Sequence, residues 1–297
     1  WERREVFLFR APPVHTRLRK LVAKAFTARR VEQLQPFVEK LTDELLTAAA
    51  DRGRLELVAD LAYPLPVAVI SEMLGVPHED HATFAGWSAV LAKGLDRIMS
   101  DPTPEEVAEN RLASDQFRAY FEDLAAQRRR DPRDDLISAL VAAEEEGDRL
   151  TMDELTSTAL LLLVAGHETT VSLIGNAMLA LLRVPGLLDR VREQPALAEG
   201  VIEEVLRLDP PVQMTMRTAL ADVEVPGGVV KKGGTAVLLI AAANRDGGAF
   251  PDPTRLEPER RDAVHEGGVR RVEVLALLLA HTVELVSGRD PQADLVG

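Results

Sequence analysis

The 297-residue chain is 46% hydrophobic and 28% charged, which excludes a disordered chain and fits one large or two ordinary globular domains. Its formal net charge of −13 argues against a general role in binding nucleic acid or an anionic membrane. The longest apolar runs, at 159–165 and 274–280, have seven residues each, so we predict a soluble protein without a membrane anchor.

Most of the chain is predicted to be helical, because Ala, Leu, Arg and Glu dominate it and Pro and Gly divide it into helix-sized segments. The predicted helices cover 15–30, 31–50, 65–74, 81–95, 104–129, 134–146, 151–183, 187–193 and 196–208. Valines separated by Gly and Pro predict a small β-hairpin region over 222–239. The predicted fold is therefore mainly α with a minor β-sheet, in a single domain over 1–297.

The first predicted helix lies in a basic stretch of this acidic protein. No Asp or Glu occurs between Glu5 and Glu32. Seven basic residues lie in this interval: Arg10, Arg17, Arg19, Lys20, Lys24, Arg29 and Arg30. Such a surface suits an acidic partner protein or an anionic cofactor.

The longest predicted helix begins at Thr151, where Glu154 completes a capping-box pattern, and ends near Arg183. At about 1.5 Å per residue it spans roughly 50 Å, so its centre lies near the middle of a domain. There the run Gly166-His-Glu-Thr-Thr170 interrupts the apolar sequence. A glycine, an acid and two hydroxyls are costly in helix propensity and polar burial at such a place. The segment therefore favours function over a purely structural role.

Several common catalytic motifs are absent from the sequence. It has no phosphate-binding Gly-x4-Gly-Lys-Ser/Thr loop, no Gly-x-Gly-x-x-Gly dinucleotide pattern and no Gly-x-Ser-x-Gly nucleophile elbow. His167-Glu168 starts like a zinc-protease motif, but Val171 stands where the second His is required. Cysteine is absent altogether, which excludes disulfides, thiolate catalysis, zinc–thiolate sites and iron–sulfur ligation in these residues.

The remaining candidates are polar residues that have ordinary explanations when taken alone. His15 and Arg19 share one face of the first helix, where a solvated basic surface is the simpler interpretation. Glu204 and Arg207 form an i,i+3 pair, which contributes roughly 0.2–0.5 kcal/mol on a helix surface. Whether these residues indicate a function depends on the order in which they and Arg217 occur along the chain.

In order and spacing, these segments together resemble the cytochrome P450 family, the haem-thiolate monooxygenases, of the soluble bacterial kind. The resemblance runs from about Pro12 to Arg260 and covers most of the chain. The motifs that carry it are His15-Thr-Arg-Leu-Arg19, Ala165-Gly-His-Glu-Thr-Thr170, Glu204-Val-Leu-Arg207, Arg217, Asn244-Arg-Asp246, Phe250-Pro-Asp-Pro253 and Glu259-Arg260. Each motif alone is weak, but their shared order makes a chance match improbable.

The resemblance implies a binding site for haem b. His15 and Arg19 match the family residues that hold one haem propionate, and Arg217 matches a strand arginine that contacts the second. The basic stretch would receive an acidic electron donor of the ferredoxin type. The apolar residues 160–164 would line or support a pocket for a lipophilic substrate.

The resemblance also implies a reaction. Glu168 and Thr169 match the catalytic acid–alcohol pair that delivers protons during oxygen activation, and Glu204 and Arg207 match a structural pair. The expected activity is hydroxylation or epoxidation of a small lipophilic or natural-product substrate in secondary metabolism. The chain has no signal-peptide pattern, so we expect a cytoplasmic protein.

The chain departs from the family pattern after Arg260. The family continues with a Phe-Gly-x-Gly loop and the cysteine that ligates the haem iron, whereas 261–271 carry neither. Val272–Val286 could supply the following helix, which indicates a deleted or rewritten loop. His265 lies near the vacant ligand position and is the one metal-ligand candidate, although a lone His in a Gly-rich loop is more often solvated. The family's early helices and larger sheet would precede Trp1, so we expect a fragment.

Two functional interpretations remain open. The first is a haem-dependent monooxygenase that is incomplete or inactivated by loss of its thiolate, whose electron donation favours O–O cleavage. The second is a haem-free auxiliary protein that binds and activates a glycosyltransferase, as some members of this superfamily without the cysteine do. The retained pair Glu168 and Thr169 favours the first, because such helpers tend to lose it.

Overall fold

A computed structural model of the chain describes residues 7–25, 27–95, 102–145 and 148–260. The predictions for 261–271, His265 and 272–286 lie outside the described residues. The chain divides into two compact units, a first unit of Trp1–Glu168 and a second unit of Thr169–Gly297. The single-domain assignment stays a prediction.

Helices form most of the first unit. They are α1 (Val14–Ala25), α2 (Ala28–Gln33), α3 (Gln35–Asp51), α4 (Pro64–Leu74), α5 (His81–Leu95), α6 (Pro104–Arg130), α7 (Leu136–Ala142) and the start of α8 (Met152–Arg183). A short antiparallel pair, β1 (Glu144–Glu145) and β2 (Asp148–Arg149), precedes α8, and one π-helical turn covers Val58–Ala62. The predicted mainly α fold with minor sheets is confirmed.

The core of the first unit follows from the spacing of apolar residues. On α1, Leu18, Leu21, Val22 and Ala25 are buried, as an i, i+3, i+4, i+7 pattern requires. Helices α5 and α6 meet through a cluster of aromatic rings, in which the Phe84 centroid on α5 lies 5.9 Å from that of Phe117 and 5.8 Å from that of Phe121 on α6. Apolar burial of this kind is the main favourable contribution to folding.

Helix α8 begins as predicted. The Thr151 N–H donates to Glu154 Oε2 at 2.9 Å, and the Glu154 N–H donates to Thr151 Oγ1 at 3.2 Å, which completes the capping box. The helix continues without a break through Gly166–Thr170. By length and composition alone it could cross a membrane, a criterion that core helices of soluble proteins also meet, and half of its most apolar window is buried.

The second unit contains the rest of α8, then α9 (Leu187–Glu193) and α10 (Leu197–Leu208). Four strands and a short helix follow: β3 (Thr215–Thr218), β4 (Val223–Val225), β5 (Gly228–Val230), β6 (Thr235–Leu238) and α11 (Ile240–Ala243). Strands β4 and β5 form the predicted hairpin, and β3 pairs antiparallel with β6 so that Arg217 lies opposite Ala236.

Three predicted boundaries were wrong for identifiable reasons. The helix predicted over 15–30 is divided at Thr27, whose extended backbone and Oγ1 cap α2. The helix predicted over 31–50 is divided at Leu34, because Pro36 has no N–H to continue α2. The helix predicted over 134–146 ends at Ala142, since the backbone of Glu144–Glu145 pairs with β2.

A buried ion pair fixes the turn after α4. Gly75 has a left-handed φ of 78°, and its carbonyl accepts from Arg128 Nη2 at 2.8 Å. The Arg128 Nε donates to Asp135, which also caps α7 by accepting from the Ser138 N–H at 2.7 Å. A Cβ on Gly75 would overlap the Asp135 carboxylate. The turn therefore requires glycine for two reasons, its backbone conformation and its contact.

We expect Gly75→Ala to lower the free energy of unfolding by about 3 kcal/mol or more, because it displaces Asp135 from a buried arginine. Gly53→Ala is the matched control, since Gly53 has a similar φ of 66° and open space around an added Cβ. It should lose only about 1–2 kcal/mol of backbone strain. Urea unfolding of both variants measures the difference. Equal losses would show that the Asp135 contact contributes nothing.

Candidate functional site

Two of the predicted haem-binding residues lie on α1 in the first unit. His15 and Arg19 are four residues apart and flank the buried stripe that contains Leu18 and Val22. His15 is half-buried and Arg19 is exposed. Arg17, on the other flank, forms an ion pair with Glu154 in the first turn of α8. The structure therefore brings His15 and Arg19 together on one side of an anchored helix.

The catalytic acid predicted on α8 has a buried histidine as its neighbour. His167 is 0% exposed, and its Nε2 lies 3.0 Å from Glu168 Oε1. Its Nδ1 lies 2.9 Å from the hydroxyl of Ser88 on α5 and 3.1 Å from the Leu163 carbonyl. The Glu168 side chain is 42% exposed. The carboxylate is thus held at one oxygen and accessible to solvent.

The charge of Glu168 influences a second buried group. The Tyr63 ring meets the His167 ring edge-on with centroids 5.7 Å apart, and its hydroxyl donates to the Ala85 carbonyl at 3.1 Å. Burial raises the pKa of Tyr63 above its ordinary value, and the negative charge of Glu168 raises it further. Tyr63 therefore remains a neutral donor beside the histidine.

Sequence reasoning missed His167 and Ser88 as site residues. The spacing of Leu160, Leu163 and His167 is i, i+3, i+7, which places the histidine on a buried helix face and was an available signal. Ser88 gave no signal, because its contact with His167 joins residues 79 positions apart.

The remaining predicted site residues lie in the second unit. Thr169 is half-buried and directly follows Glu168 on α8. Arg217 is exposed on β3, and its Nη1 donates to Thr215 Oγ1 at 2.9 Å and to the Met216 carbonyl at 2.8 Å. Within the described part of the chain both contacts use Nη1, which leaves the other guanidinium donors for an anion. An exposed strand arginine of this kind suits a carboxylate ligand.

The predicted structural pair is a buried bidentate ion pair. Arg207 Nε and Nη2 donate to the two Glu204 oxygens at 2.7 and 2.9 Å, and the residues are 5% and 1% exposed. The guanidinium also donates to the carbonyls of Asn244 at 2.9 Å, Pro253 at 2.7 Å and Arg255 at 3.0 Å. The pair thereby ties α10 to the chain that follows α11.

Other donors hold the Glu204 carboxylate in its charged form. Burial acts to raise the pKa of Glu204, but the hydrogen bonds from Arg207 and the Glu257 N–H, with Arg260 nearby, outweigh it. The pKa of Glu204 therefore lies below its ordinary value. Gly200 on the same helix admits no side chain, since a Cβ there would overlap the Pro258 carbonyl.

Comparison with known proteins identifies the family of this chain. The family model described as cytochrome P450 matches residues 1–266. The chain belongs to the cytochrome P450 family. This confirms the resemblance seen in the sequence.

Bacterial relatives support the assignment. Cytochrome P450 107B1 of Saccharopolyspora erythraea is 45% identical over 255 residues, which are 86% of this chain and 60% of that relative. Vitamin D(3) 25-hydroxylase of Pseudonocardia autotrophica is 43% identical over 260 residues, 87% of this chain and 61% of that relative. The chain thus spans about three fifths of the length of these relatives.

A solved structure supports the fold. The crystal structure of CYP109E1 from Bacillus megaterium in complex with testosterone has a TM-score of 0.85 and 32% sequence identity. The match covers 94% of this chain and 77% of that one.

P450 membership implies haem binding, but the residues of this chain fit the haem only in part. The cations on α1 and β3 suit carboxylates, whereas the 297 residues contain no cysteine to ligate iron. Among the described residues no group of three or more His, Cys, Asp and Glu could hold a metal ion. The buried His167 is already engaged by Ser88 and Glu168. The chain therefore offers no thiolate ligand for the iron.

We expect Glu204→Gln to lower the free energy of unfolding at pH 7 by roughly 3–5 kcal/mol, since it leaves Arg207 buried without a carboxylate. Because the pKa of Glu204 is lowered on folding, its contribution is complete above its ordinary value of 4.5 and is lost as the pH falls through the folded pKa. Denaturant unfolding between pH 3 and pH 7 should show the two proteins converging in acid.

Asp189→Asn is the control, because Asp189 and Arg192 form an i,i+3 pair with the same spacing on the surface. Its effect should stay within about 1 kcal/mol. A Glu204 effect as small as this control, or one that persists undiminished at pH 3, would contradict the role of the buried pair.

Proposed function

We propose that the chain is the core of a haem-dependent monooxygenase, of the kind that hydroxylates or epoxidises a small lipophilic molecule, which is incomplete or inactivated because no cysteine is present to ligate the iron. The observation that carries this proposal is the acid–alcohol pair Glu168 and Thr169 in the apolar helix α8. The P450 relatives support the substrate class, since one is a vitamin D(3) hydroxylase and another was crystallised with testosterone. A natural product of secondary metabolism is the substrate class that we infer.

The geometry of Glu168 suits proton delivery. A general acid must be able both to receive a proton from solvent and to present it in a fixed direction. Exposure of 42% meets the first requirement, and the contact between Oε1 and His167 Nε2 meets the second. Thr169 is the next residue on α8 and supplies a hydroxyl that can donate a hydrogen bond.

We infer that the cofactor is haem b, held through its two carboxylates. His15 and Arg19 would bind one carboxylate and Arg217 the other, because charge-assisted bonds offset the desolvation of an anion. The iron ligand does not fit, since no cysteine is present. We therefore expect haem bound by this chain to lack the spectroscopic signature of thiolate ligation.

A haem-free helper of a glycosyltransferase is the second candidate function. The observation that favours it is the same lack of cysteine, which removes ordinary monooxygenation. The retention of Glu168 and Thr169 argues against it, because a protein without haem chemistry has no catalytic use for the pair. Haem affinity distinguishes the two candidates.

Titration of the purified chain with haem tests the proposed function. We expect saturable binding of one haem, and a loss of affinity of about tenfold or more in Arg19→Gln and in Arg217→Gln. Arg29→Gln, which removes an exposed arginine outside the proposed set, is the control and should leave the affinity unchanged. Absorbance of the reduced carbon monoxide complex reports the iron ligand. A folded chain that shows no saturable Soret band would overturn the proposal and favour the helper.

We infer that the basic stretch on α1 and α2 binds an acidic electron donor of the ferredoxin type. We also propose that the protein acts in the cytoplasm, together with this donor. Replacement of Lys20, Lys24 and Arg29 by Gln should weaken binding of such a donor, by about tenfold at low salt and less at high salt. Surface plasmon resonance at two ionic strengths measures this.

The matched control for the donor site removes three other exposed arginines of the first unit, at and after the end of α6. They are Arg129, Arg130 and Arg133. An equal loss of affinity in the control would show that net charge, and not the basic stretch, governs docking. An unchanged affinity in the Lys20, Lys24 and Arg29 variant would remove the docking proposal.

A further inference from the structure

The contact between His167 and Glu168 is unusual for neighbours on a helix. Side chains at i and i+1 point in directions about 100° apart and do not normally face each other. Here Nε2 and Oε1 are nevertheless 3.0 Å apart. Helix geometry alone does not produce this contact, so the imidazole must be held in place from elsewhere.

Ser88 provides that anchor from a separate helix. It lies on α5 and is 0% exposed, and its hydroxyl is 2.9 Å from His167 Nδ1 and 3.3 Å from Nε2, so Nδ1 is the nearer partner. The edge of the Tyr63 ring meets the imidazole, and Tyr63 is itself fixed by the Ala85 carbonyl on α5. The ring is therefore contacted on two sides by residues of the first unit, the buried Ser88 and the half-buried Tyr63.

From this geometry we infer that His167 is a positioning residue, which fixes the Glu168 carboxylate by donating Nε2–H to Oε1 while Ser88 anchors the ring. The inference rests on the proposed function only in giving Glu168 a proton to deliver. The contact itself involves neither cofactor nor substrate.

Two acceptors compete for the single proton of the neutral ring, since the Glu168 carboxylate lies 3.0 Å from Nε2 and the Leu163 carbonyl lies 3.1 Å from Nδ1. We assign the proton to Nε2, because a hydrogen bond to a charged acceptor is the stronger of the two. Nδ1 then accepts from the Ser88 hydroxyl.

If His167 only fills the core, a different tautomer is expected. Such a ring would donate Nδ1–H to the Leu163 carbonyl, the commonest local acceptor on a helix, and leave Nε2 without a proton. The tautomer of His167 therefore distinguishes a positioning role from simple packing. This readout requires no haem and no enzymatic turnover.

The experiment is ¹⁵N NMR of the full chain with labelled histidines, recorded as imidazole ¹H–¹⁵N correlations. The His167 signal is assigned as the resonance that shifts in Ser88→Ala, a small change that the fold should tolerate. In the unmodified chain we expect Nε2 to be protonated, with an Nε2–H to Nδ1–H ratio of about ten or more, because hydrogen bonds to charged groups are strong.

Two variants test the cause of that preference. Glu168→Ala removes the acceptor, so the ratio should fall at least about tenfold and move toward Nδ1–H, for which the Leu163 carbonyl is available. Glu109→Ala, which removes an exposed glutamate of α6, should leave the ratio unchanged. An Nδ1–H tautomer in the unmodified chain, or an equal ratio in Glu168→Ala, would overturn the inference.

The outcomes separate this inference from the proposed function. Protonated Nε2 together with failed haem titration would leave His167 as a positioning residue for Glu168 and overturn the monooxygenase proposal. An Nδ1–H tautomer together with saturable haem binding would overturn the positioning role of His167 and support the monooxygenase proposal.

Discussion

A buried guanidinium needs hydrogen-bond acceptors from the surrounding chain, since burial removes water from its five N–H donors. Arg207 donates hydrogen bonds to both oxygens of Glu204 and to the carbonyls of Asn244, Pro253 and Arg255. Removing any one of these partners leaves a charge poorly compensated in a low-dielectric interior. Arg207 on α10 therefore holds the chain after α11 in place, together with Arg260, which donates to the carbonyls of Pro251 and Arg255.

The first unit also contains a buried arginine, which is paired with fewer acceptors. Arg128 is buried with Asp135 and takes the carbonyl of Gly75 as a further acceptor. In both units the arginine joins segments distant in sequence, and in both a glycine lies where any side chain would collide with the network or its neighbours. Such networks specify one arrangement of the chain, because a partly formed network costs more than an apolar core.

The sequence could predict what depends on local periodicity and family pattern. The spacing of Leu18, Leu21 and Val22 identified α1, and Thr151 with Glu154 identified the start of α8. Local periodicity could not predict β3 or the end of α7, because both depend on pairing with backbone elsewhere in the chain, and only the family pattern around Arg217 indicated a strand at β3. For the same reason the motif gave Glu168 and Thr169 but not Ser88, whose role depends on how α5 packs beside α8.

The glycine of the α8 motif contrasts with Gly75 and Gly200. A Cβ on Gly166 would meet Ile70 Cδ1 at 3.6 Å, an ordinary van der Waals distance, so packing within the first unit does not require glycine there. Glycine in a helix interior costs about 1 kcal/mol relative to alanine. The chain thus keeps a destabilising residue at the exposed centre of its longest helix, two positions before Glu168, where packing gives no reason for it. Such a cost without a structural return is typical of positions at a functional site, where stability is exchanged for activity.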